Sequence, residues 1–221
     1  MTGNYCVYED EPETLAPDGP VKGGGGGSPS EPTDPNEDCD VPEGNLLELT
    51  VGCEELTVDD FIDYLASRFG RKPNECEKEI LRSDPINWPK AVLVFVNAEI
   101  AESKTIELFG INGWRDCADA FRHAYWNALN IQEISINDAT LFANAHECES
   151  SIENMDVQMD LFNNRVGRGI GLNYSFSYAT PLWGKVLESL NSGNLKIISN
   201  LTSQGYYTLS SKLVDSSSCQ Q

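Results

Sequence analysis

The chain has few basic residues, only two histidines and no long apolar run, and each shortage excludes a class of function. Fifteen Lys and Arg stand against 35 Asp and Glu, a net charge of −20, so the clustered cations that bind a nucleic-acid backbone or an anionic membrane surface are missing. No apolar run approaches the ~20 residues of a transmembrane helix, and the N-terminus lacks the basic and apolar regions of a signal peptide. The acidic balance suits a divalent cation or a cationic partner, or serves solubility alone.

The seven cysteines contain no C-x-x-C pair, so the strongest signature of a zinc or thiol-redox site is absent. Seven cysteines in a polar, acidic chain favour an oxidising compartment and roughly one to three disulfides. Cys117 and Cys148 flank the two histidines in sequence. A disulfide between them and a pair of buried free thiols are both acceptable interpretations.

The first 40 residues hold ten acids, one lysine and a run rich in Gly, Ser and Pro. Such a segment has too little apolar surface to offset the entropy of ordering, so we predict a disordered acidic tether over residues 1–43. Residues 44–221 then form one domain, long enough to bury a core. A tether of this kind is typical of the stretch that follows a cleaved signal, so we expect an exported protein, periplasmic, cell-surface or secreted.

Helix start and stop signals predict a mostly α fold, with six or seven helices in one compact domain. The segment TVDD begins a helix that ends at Gly70, and Asn74 begins a shorter one that ends before Asp84. A third helix is expected from Pro89 to Gly110. Because the first half of this third helix is nearly all apolar, we expect it to be the central buried helix.

Five further segments complete the expected fold. Helices are predicted in residues 116–129, in LFANAHECE and in MDLFNNRVGRG, the last of which should end at its glycines, Gly167, Gly169 and Gly171. Thr180 and Pro181 are predicted to cap a final helix, PLWGKVLESL. Residues 194–213 are then expected to form a strand or a loose hairpin.

The stretch DCADAFRHAYWNAL, residues 116–129, is the centre of the candidate site. On a helical wheel one face is entirely apolar or aromatic, as expected of a helix that packs on a core. The other face carries carboxylate, guanidinium, imidazole and indole groups instead of the Lys and Glu of a solvated face: Asp119, Arg122, His123, Trp126, Asn127 and Asn130. This mixture indicates the wall of a pocket.

Chemistry-bearing residues recur on the next two helices. His146 and Glu147 are adjacent, and Asp160 and Asn164 are four residues apart and therefore share a face. Asp119 lies one turn before the histidine of its own helix and can accept a hydrogen bond from that imidazole, which would fix the tautomer of a base or a metal ligand.

We interpret this set as a candidate site for catalysis, substrate binding and a divalent metal. The candidate catalytic residues are His123, Asp119, Arg122, His146, Glu147 and Asp160, and the candidate metal ligands are His123, His146 and Asp160. The candidate substrate contacts are Trp126, Asn127, Asn164 and Arg168. Structural histidines, a polar contact between helices and an aromatic lid would produce the same pattern.

Three motifs, DAFRHAYWNAL, AHE and MDLFNNRVGR, occur in this order across about residues 85–195. Together they resemble an uncharacterised bacterial domain family that occurs in exported and toxin-associated proteins. The resemblance implies a helical domain and a shared polar cluster, and it implies no reaction. The order His123, His146-Glu147, Asp160 is also similar to that of the metal ligands in helical phosphohydrolases of the HD type, from which it departs in having Glu147 in place of an aspartate.

Two functions remain open at this point. The first is a hydrolase acting on an envelope component or a phosphoester, in which His123 is a general base or metal ligand, His146 and Asp160 complete the set, and an arginine stabilises the developing anion. The second is a non-catalytic binding or interaction module whose polar cluster joins helices. In both cases the expected partner is a small molecule or an envelope component and not a nucleic acid.

Overall fold

The computed structural model describes residues 56–148, 150–151, 153–174 and 181–219. The predicted tether, residues 1–43, and the predicted cap Thr180 lie outside these residues. The described part is mostly α, as predicted, with seven helices, two short strands and a 3-10 turn: α1 (Val58–Phe69), α2 (Glu75–Ser83), α3 (Asn87–Phe109), α4 (Cys117–Glu133), α5 (Ile136–His146), α6 (Met155–Tyr174), α7 (Leu182–Asn191), β1 (Lys196–Ser199), β2 (Lys212–Asp215) and Ser216–Cys219. None of the helices in this part of the chain is long and apolar enough to cross a membrane.

The first two helices begin with the capping boxes that the sequence predicts. In α1 the Thr57 side chain accepts a hydrogen bond from the backbone of Asp60, whose carboxylate accepts one in return from the Thr57 backbone. Asn74 and Glu77 make the same reciprocal contact at the start of α2. Gly70 follows α1 with a φ of 65°, a conformation in which a Cβ atom would be strained. These local signals therefore place both helices correctly.

The central helix is α4, where the sequence predicts α3. Helix α3 has buried residues such as Phe95, but α4 is buried on both its apolar and its polar faces. Phe121 on one side and Asn127 on the other are fully buried. Around α4 pack α3, α5, α6 and α7. The prediction rests on the apolar run of α3. Helix α4 is more completely buried because the side chains of its polar face form hydrogen bonds with neighbouring helices, so that face can be buried as well.

Helices α4 and α6 pack backbone to backbone through glycines. A Cβ atom at Gly167 would lie 2.0 Å from the carbonyl oxygen of Ala124, and one at Gly171 would lie 2.7 Å from that of Ala128. The prediction that the glycines end this helix is wrong, since α6 continues through all three to Tyr174. Glycine is retained here inside a helix because only a residue without a side chain permits this approach.

Within the described residues, two disulfides join the periphery to this core. Cys76 bonds to Cys148, and Cys117 bonds to Cys219. Cys117 and Cys148 are both oxidised, but not to each other, so the disulfide considered from their sequence positions is not formed. The predicted C-terminal hairpin is present, with β1 and β2 antiparallel. Disulfides persist in oxidising compartments, which agrees with the environment that the cysteine content indicates.

Candidate metal centre and pocket

The candidate metal centre lies between α4 and α6. Asp119 and His123 are one turn apart on α4, and Asp160 faces them from α6. One potential ligand atom from each of the three residues lies within 4.8 Å of the other two. Nε2 of His123 is 3.5 Å from Oδ1 of Asp119 and 3.6 Å from Oδ1 of Asp160. All three residues are buried, so this is an interior group of two carboxylates and one imidazole.

The Asp119 carboxylate is held in place from the start of α4. Asp116 caps this helix and accepts a hydrogen bond from the backbone N–H of Asp119. The backbone N–H of Arg115 donates to Oδ2 of Asp119 at 2.6 Å, and the Arg122 guanidinium pairs with Oδ1. Arg115 itself has a φ of 65°, an uncommon conformation for a residue with a side chain. A residue in the left-handed conformation thus supplies one of the two hydrogen-bonding partners of this carboxylate.

Glu147 adds a third carboxylate on the opposite side of the imidazole. Its Oε1 lies 3.7 Å from Nδ1 of His123, too far for a hydrogen bond. Among the described residues, four buried polar atoms of this region have no hydrogen-bond partner: Nδ1 of His123, Oε1 of Glu147, Oδ1 of Asp160 and Nδ2 of Asn164. Buried polar atoms are rarely left unpaired, and Oδ1 of Asp160 is the one of the four that faces Nε2 of His123 and an ion bound there.

The pKa values in this cluster are shifted toward the neutral forms. Burial lowers the pKa of the His123 imidazole, although the negative charges of Asp119 and Glu147 act to raise it. Burial, together with the charges of Asp119 and Asp156, raises the pKa of Asp160 to about 8. Burial also raises the pKa of Glu147, and the charge of Asp160 adds to that rise while His123 opposes it. The cluster thus holds more carboxyl groups than its own cations neutralise, and it would retain protons unless another cation entered.

His146 does not join this group, although the sequence places it among the candidate metal ligands. Its ring centroid is 6.3 Å from that of His123. Its Nδ1 instead lies 3.1 Å from Nη1 of Arg71 and 3.3 Å from Oε1 of Glu77. Glu77 is buried, and burial raises its pKa, but the hydrogen bond from His146 and the Arg71 charge prevail and lower it to about 2. His146 therefore belongs to a second cluster, built with α2 and the turn before it.

A pocket of about 170 Å³ connects the two clusters. It is lined by Arg71, Ala98, Glu102, Arg122, His123, Trp126 and His146. His123 and Arg122 belong to both the pocket and the carboxylate group, so a molecule in the pocket would lie beside that group. The Trp126 indole is buried and donates its N–H to the carbonyl of Val94 at 2.9 Å. It contacts the His146 ring edge-on, with centroids 5.2 Å apart, and forms a fixed wall of the pocket.

The remaining candidate substrate contacts lie outside the pocket lining. Nδ2 of Asn127 donates to Oδ1 of Asn164 at 2.7 Å, and Nη1 of Arg168 donates to Oδ1 of Asn127 at 2.8 Å. Burial lowers the pKa of Arg168. This chain of hydrogen bonds joins α4 to α6 behind the carboxylate group. It gives these three residues a role in holding the two helices together.

A family model described as a domain of unknown function, DUF6973, matches residues 82–194 of the chain, just over half of its length. The chain belongs to this family. Neither the curated proteins nor the solved structures contain a significant match. The DUF6973 span includes α4, α5 and α6 and therefore the whole carboxylate–imidazole group. It begins after Arg71 and Glu77, so the chain completes the pocket with residues from outside the family region.

Arg71 and Glu77 are not among the site residues predicted from the sequence. The visible signal at Glu77 was its position three residues after Asn74, which identifies a capping box and says nothing about a pocket. Arg71 directly follows the glycine that ends α1 and reads as a solvated turn residue. Only the packing of α2 on α5 brings these side chains beside His146.

Proposed function

We propose that this DUF6973 domain binds a divalent metal ion between Asp119, His123 and Asp160 and uses it in hydrolysis. One observation carries the proposal: the imidazole nitrogen lies 3.5 and 3.6 Å from the two carboxylate oxygens. These distances exceed those of hydrogen bonds. Two atoms that each ligate an ion at about 2.1 Å with tetrahedral angles are about 3.4 Å apart, so the spacing suits a shared ion.

Charge supports the same proposal. Three carboxyl groups, those of Asp119, Asp160 and Glu147, are buried around one imidazole. An ion of charge +2 would relieve the repulsion between Asp119 and Asp160 and would accept an electron pair from Oδ1 of Asp160, which has no hydrogen-bond partner. Carboxylates favour Mn²⁺ or Mg²⁺, and an imidazole adds affinity for Zn²⁺ and Fe²⁺. Mn²⁺ and Zn²⁺ are therefore the ions to test first.

The chemistry that such an ion supplies is activation of water. A bound divalent ion lowers the pKa of its water and polarises the bond to be cleaved. Glu147, on the Nδ1 side of His123, would hold the imidazole in the tautomer that leaves Nε2 free to ligate the ion, and Arg122 would stabilise the developing negative charge. His146 would face the substrate from the pocket side. The substrate classes within the proposal are an envelope component or a phosphoester, and the proposed location is outside the cytoplasm.

The test is metal binding by the purified full chain. After treatment with a chelator and dialysis, Mn²⁺ or Zn²⁺ should bind at about one ion per chain by isothermal titration calorimetry. Asp160→Asn removes one ligand charge with little change in shape and should abolish this binding. Asp63→Asn, on the exposed surface of α1, is the matched control and should bind as the wild type does.

The competing function is a non-catalytic interaction module in which the cluster only joins helices. The hydrogen-bonded chain through Asn127, Asn164 and Arg168 favours that alternative, because it already links α4 to α6. If neither ion binds to the folded wild-type chain, and Asp160→Asn lowers its stability, the metal proposal is wrong and the cluster is structural.

A further inference from the structure

We propose that the pocket beside the metal centre is a subsite for a phosphate-type oxyanion, bound between Arg71, Arg122 and His146. This inference rests on the proposed function for its link to hydrolysis, and it names the substrate class: a small phosphoester and not a neutral envelope component. Anion binding itself can be measured without any metal.

The wall of the pocket concentrates positive charge in a strongly acidic chain. Two of the fifteen basic residues, Arg71 and Arg122, line a cavity of about 170 Å³ together with both histidines. Glu102 is the one acidic side chain among the lining residues, all of which lie in the described part of the chain. It is exposed, and its Oε1 accepts a hydrogen bond from Asn112 at 2.8 Å. The charged side chains that line the rest of the pocket are therefore arginines and histidines, and the carboxylates of Glu77 and Asp119 lie behind them as partners of the arginines.

Arg71 is held in a fixed position by groups behind it. Nη2 donates to the buried carboxylate of Glu77 at 2.8 Å, and the guanidinium lies over the Phe95 ring, 4.5 Å from its centroid. Its Nη1 contacts Nδ1 of His146 at 3.1 Å. The side chain is nonetheless 38 % exposed, so it remains accessible from the pocket. An arginine positioned in advance loses little entropy when it binds an oxyanion.

Arg122, on α4, is also held in a fixed position by its neighbours. Its guanidinium pairs with Asp119, contacts Asn112 and donates to the carbonyl oxygen of Gly113 at 3.0 Å. Since this residue also touches the carboxylate group, an oxyanion bound to it would lie next to the proposed ion. Guanidinium groups keep their charge and present planar sets of N–H donors, which match the oxygens of a phosphate.

His146 supplies a third donor in two of its three protonation states. When Arg71 donates to Nδ1, the neutral ring carries its proton on Nε2, and when the ring is protonated both nitrogens carry one. An oxyanion would favour both of these states over the third, in which only Nδ1 donates to Glu77. Arg71 and the oxyanion therefore favour the tautomer with its proton on Nε2, whereas Glu77 accepts a hydrogen bond only when Nδ1 carries a proton.

The size of the pocket restricts the ligand. A cavity of about 150 Å³ holds a molecule of the size of benzene. The cavity of about 170 Å³ therefore accommodates a phosphate group with a small substituent. The Trp126 indole forms the apolar part of the wall, against which such a substituent would pack.

The experiment is a calorimetric titration of the metal-free full chain with inorganic phosphate, with phenyl phosphate and acetate as parallel ligands. Phosphate and phenyl phosphate should bind, and acetate should bind at least tenfold more weakly because it has fewer oxygens to share between the two arginines. Arg71→Gln alone would leave the buried Glu77 carboxylate without its partner. The informative variant is therefore Arg71→Gln/Glu77→Gln, which should reduce phosphate affinity at least tenfold.

Arg68→Gln is the matched control, because Arg68 is an exposed arginine at the end of α1, three residues before Arg71. It should leave phosphate binding unchanged. Should the double variant fail to fold, Arg71→Lys keeps the charge, loses the planar donor set and should still weaken binding severalfold. Thermal melting curves establish folding for each variant.

The outcomes separate the two proposals. Metal binding without phosphate binding, or phosphate affinity equal in the wild type and the Arg71 variants, overturns the subsite. Phosphate binding that depends on Arg71 while no metal binds supports the subsite and overturns the metal-dependent hydrolase. Binding of both, with the variants acting as stated, supports both.

Discussion

Gly167 of α6 lies directly against the carbonyl oxygen of Ala124 of α4, so close that a Cβ atom at position 167 would be 2.0 Å from that oxygen. Ala124 adjoins His123, and Asp160 lies two turns before Gly167 on the same helix. The separation of the two backbones at this contact therefore sets the separation of the imidazole and the carboxylate. The glycine is as much a part of the candidate site as the residues that could ligate an ion.

Gly167→Ala should push the two helices apart, since a rigid backbone atom opposes the new methyl group. We expect a loss of about 1–3 kcal/mol in the free energy of unfolding and weaker metal binding. Urea denaturation measures the first and calorimetry the second. Gly169→Ala is the control, because a Cβ atom at position 169 would meet nothing within 4 Å, and it should stabilise the helix by up to about 1 kcal/mol. Equal stability of the two variants would contradict the packing described.

Asp160→Asn should change how the stability of the metal-free protein depends on pH. Burial and the neighbouring charges of Asp119 and Asp156 raise the pKa of Asp160 to about 8, above the value of about 3.9 in an unfolded chain. The folded state then keeps a proton that the unfolded state releases, so this group makes stability fall as the pH rises from about 4 to about 8. The asparagine variant lacks that contribution and should be the more stable protein at pH 8.

Thermal unfolding with a chelator present, at pH 5 and pH 8, measures this difference. A change of 1 kcal/mol moves the melting temperature of a domain this size by about 2–4 °C. Asp63→Asn should parallel the wild type, since that side chain is 76 % exposed. If the melting temperature of Asp160→Asn is below that of the wild type at pH 8, the ionised Asp160 carboxylate stabilises the fold, and its pKa is not raised as described.

Glu77→Gln should destabilise the protein at neutral pH and alter its acid unfolding. Burial raises the pKa of Glu77, but the hydrogen bond from His146 and the charge of Arg71 outweigh it and lower the pKa to about 2. The ionised carboxylate thus stabilises the fold above about pH 4.5, and this contribution is lost as the pH falls toward 2. We expect a loss of about 1–3 kcal/mol at pH 7, in the lower range for a broken ion pair because Arg71 is partly exposed.

The measurement is the difference in unfolding free energy between wild type and variant from pH 7 to pH 2, which should shrink below about pH 4.5. Glu75→Gln is the control on the same helix. Glu75 is exposed and pairs with Lys78, so its replacement should have little effect. A difference that stays constant down to pH 2 would mean that Glu77 is not ionised in the folded protein.

The two disulfides should contribute similarly to stability and differently to the pocket. They close loops with separations of 72 and 102 residues, and chain-entropy arguments give each about 4–5 kcal/mol. Cys76 and Cys148 adjoin Glu77 and Glu147, which lie at the two clusters. Cys76→Ser/Cys148→Ser should therefore weaken phosphate binding at a temperature where the variant remains folded.

The comparison is Cys117→Ser/Cys219→Ser, which releases the C-terminal turn from the start of α4. It should lower the melting temperature by a similar amount and leave the contacts of Arg71 and His146 in place. Phosphate affinity that falls equally in both variants would show that overall stability, and not the link beside His146, controls the pocket.

Short-range patterns made most of the helices predictable. The capping boxes at Thr57 and Asn74 depend on residues three apart, and the apolar period of α4 depends on a few turns. The same periodicity indicated that Asp160 and Asn164 share a face. Such features follow from local hydrogen bonding and helix geometry, and each depends on a segment of about ten residues.

Contacts between distant residues were not predictable in this way. The glycines of α6 read as a stop signal, because nothing in the segment shows that the backbone of α4 lies against Gly167. His146 is predicted to join the site of His123 because both histidines lie in one domain, each near a carboxylate, whereas the residue that His146 contacts, Glu77, lies 69 residues away in sequence. The cysteine pairing depends in the same way on which helix ends meet.

The sequence by itself thus determined a mostly α domain and the helical faces on which the candidate site residues lie, since composition and helical period are local properties. Only the tertiary structure decided which of those side chains meet. In it Asp119 lies beside His123 and Asp160, and His146 contacts Arg71 and Glu77. The physical reason is that burial, charge and close backbone contact act between helices, where one sequence pattern is compatible with many pairings.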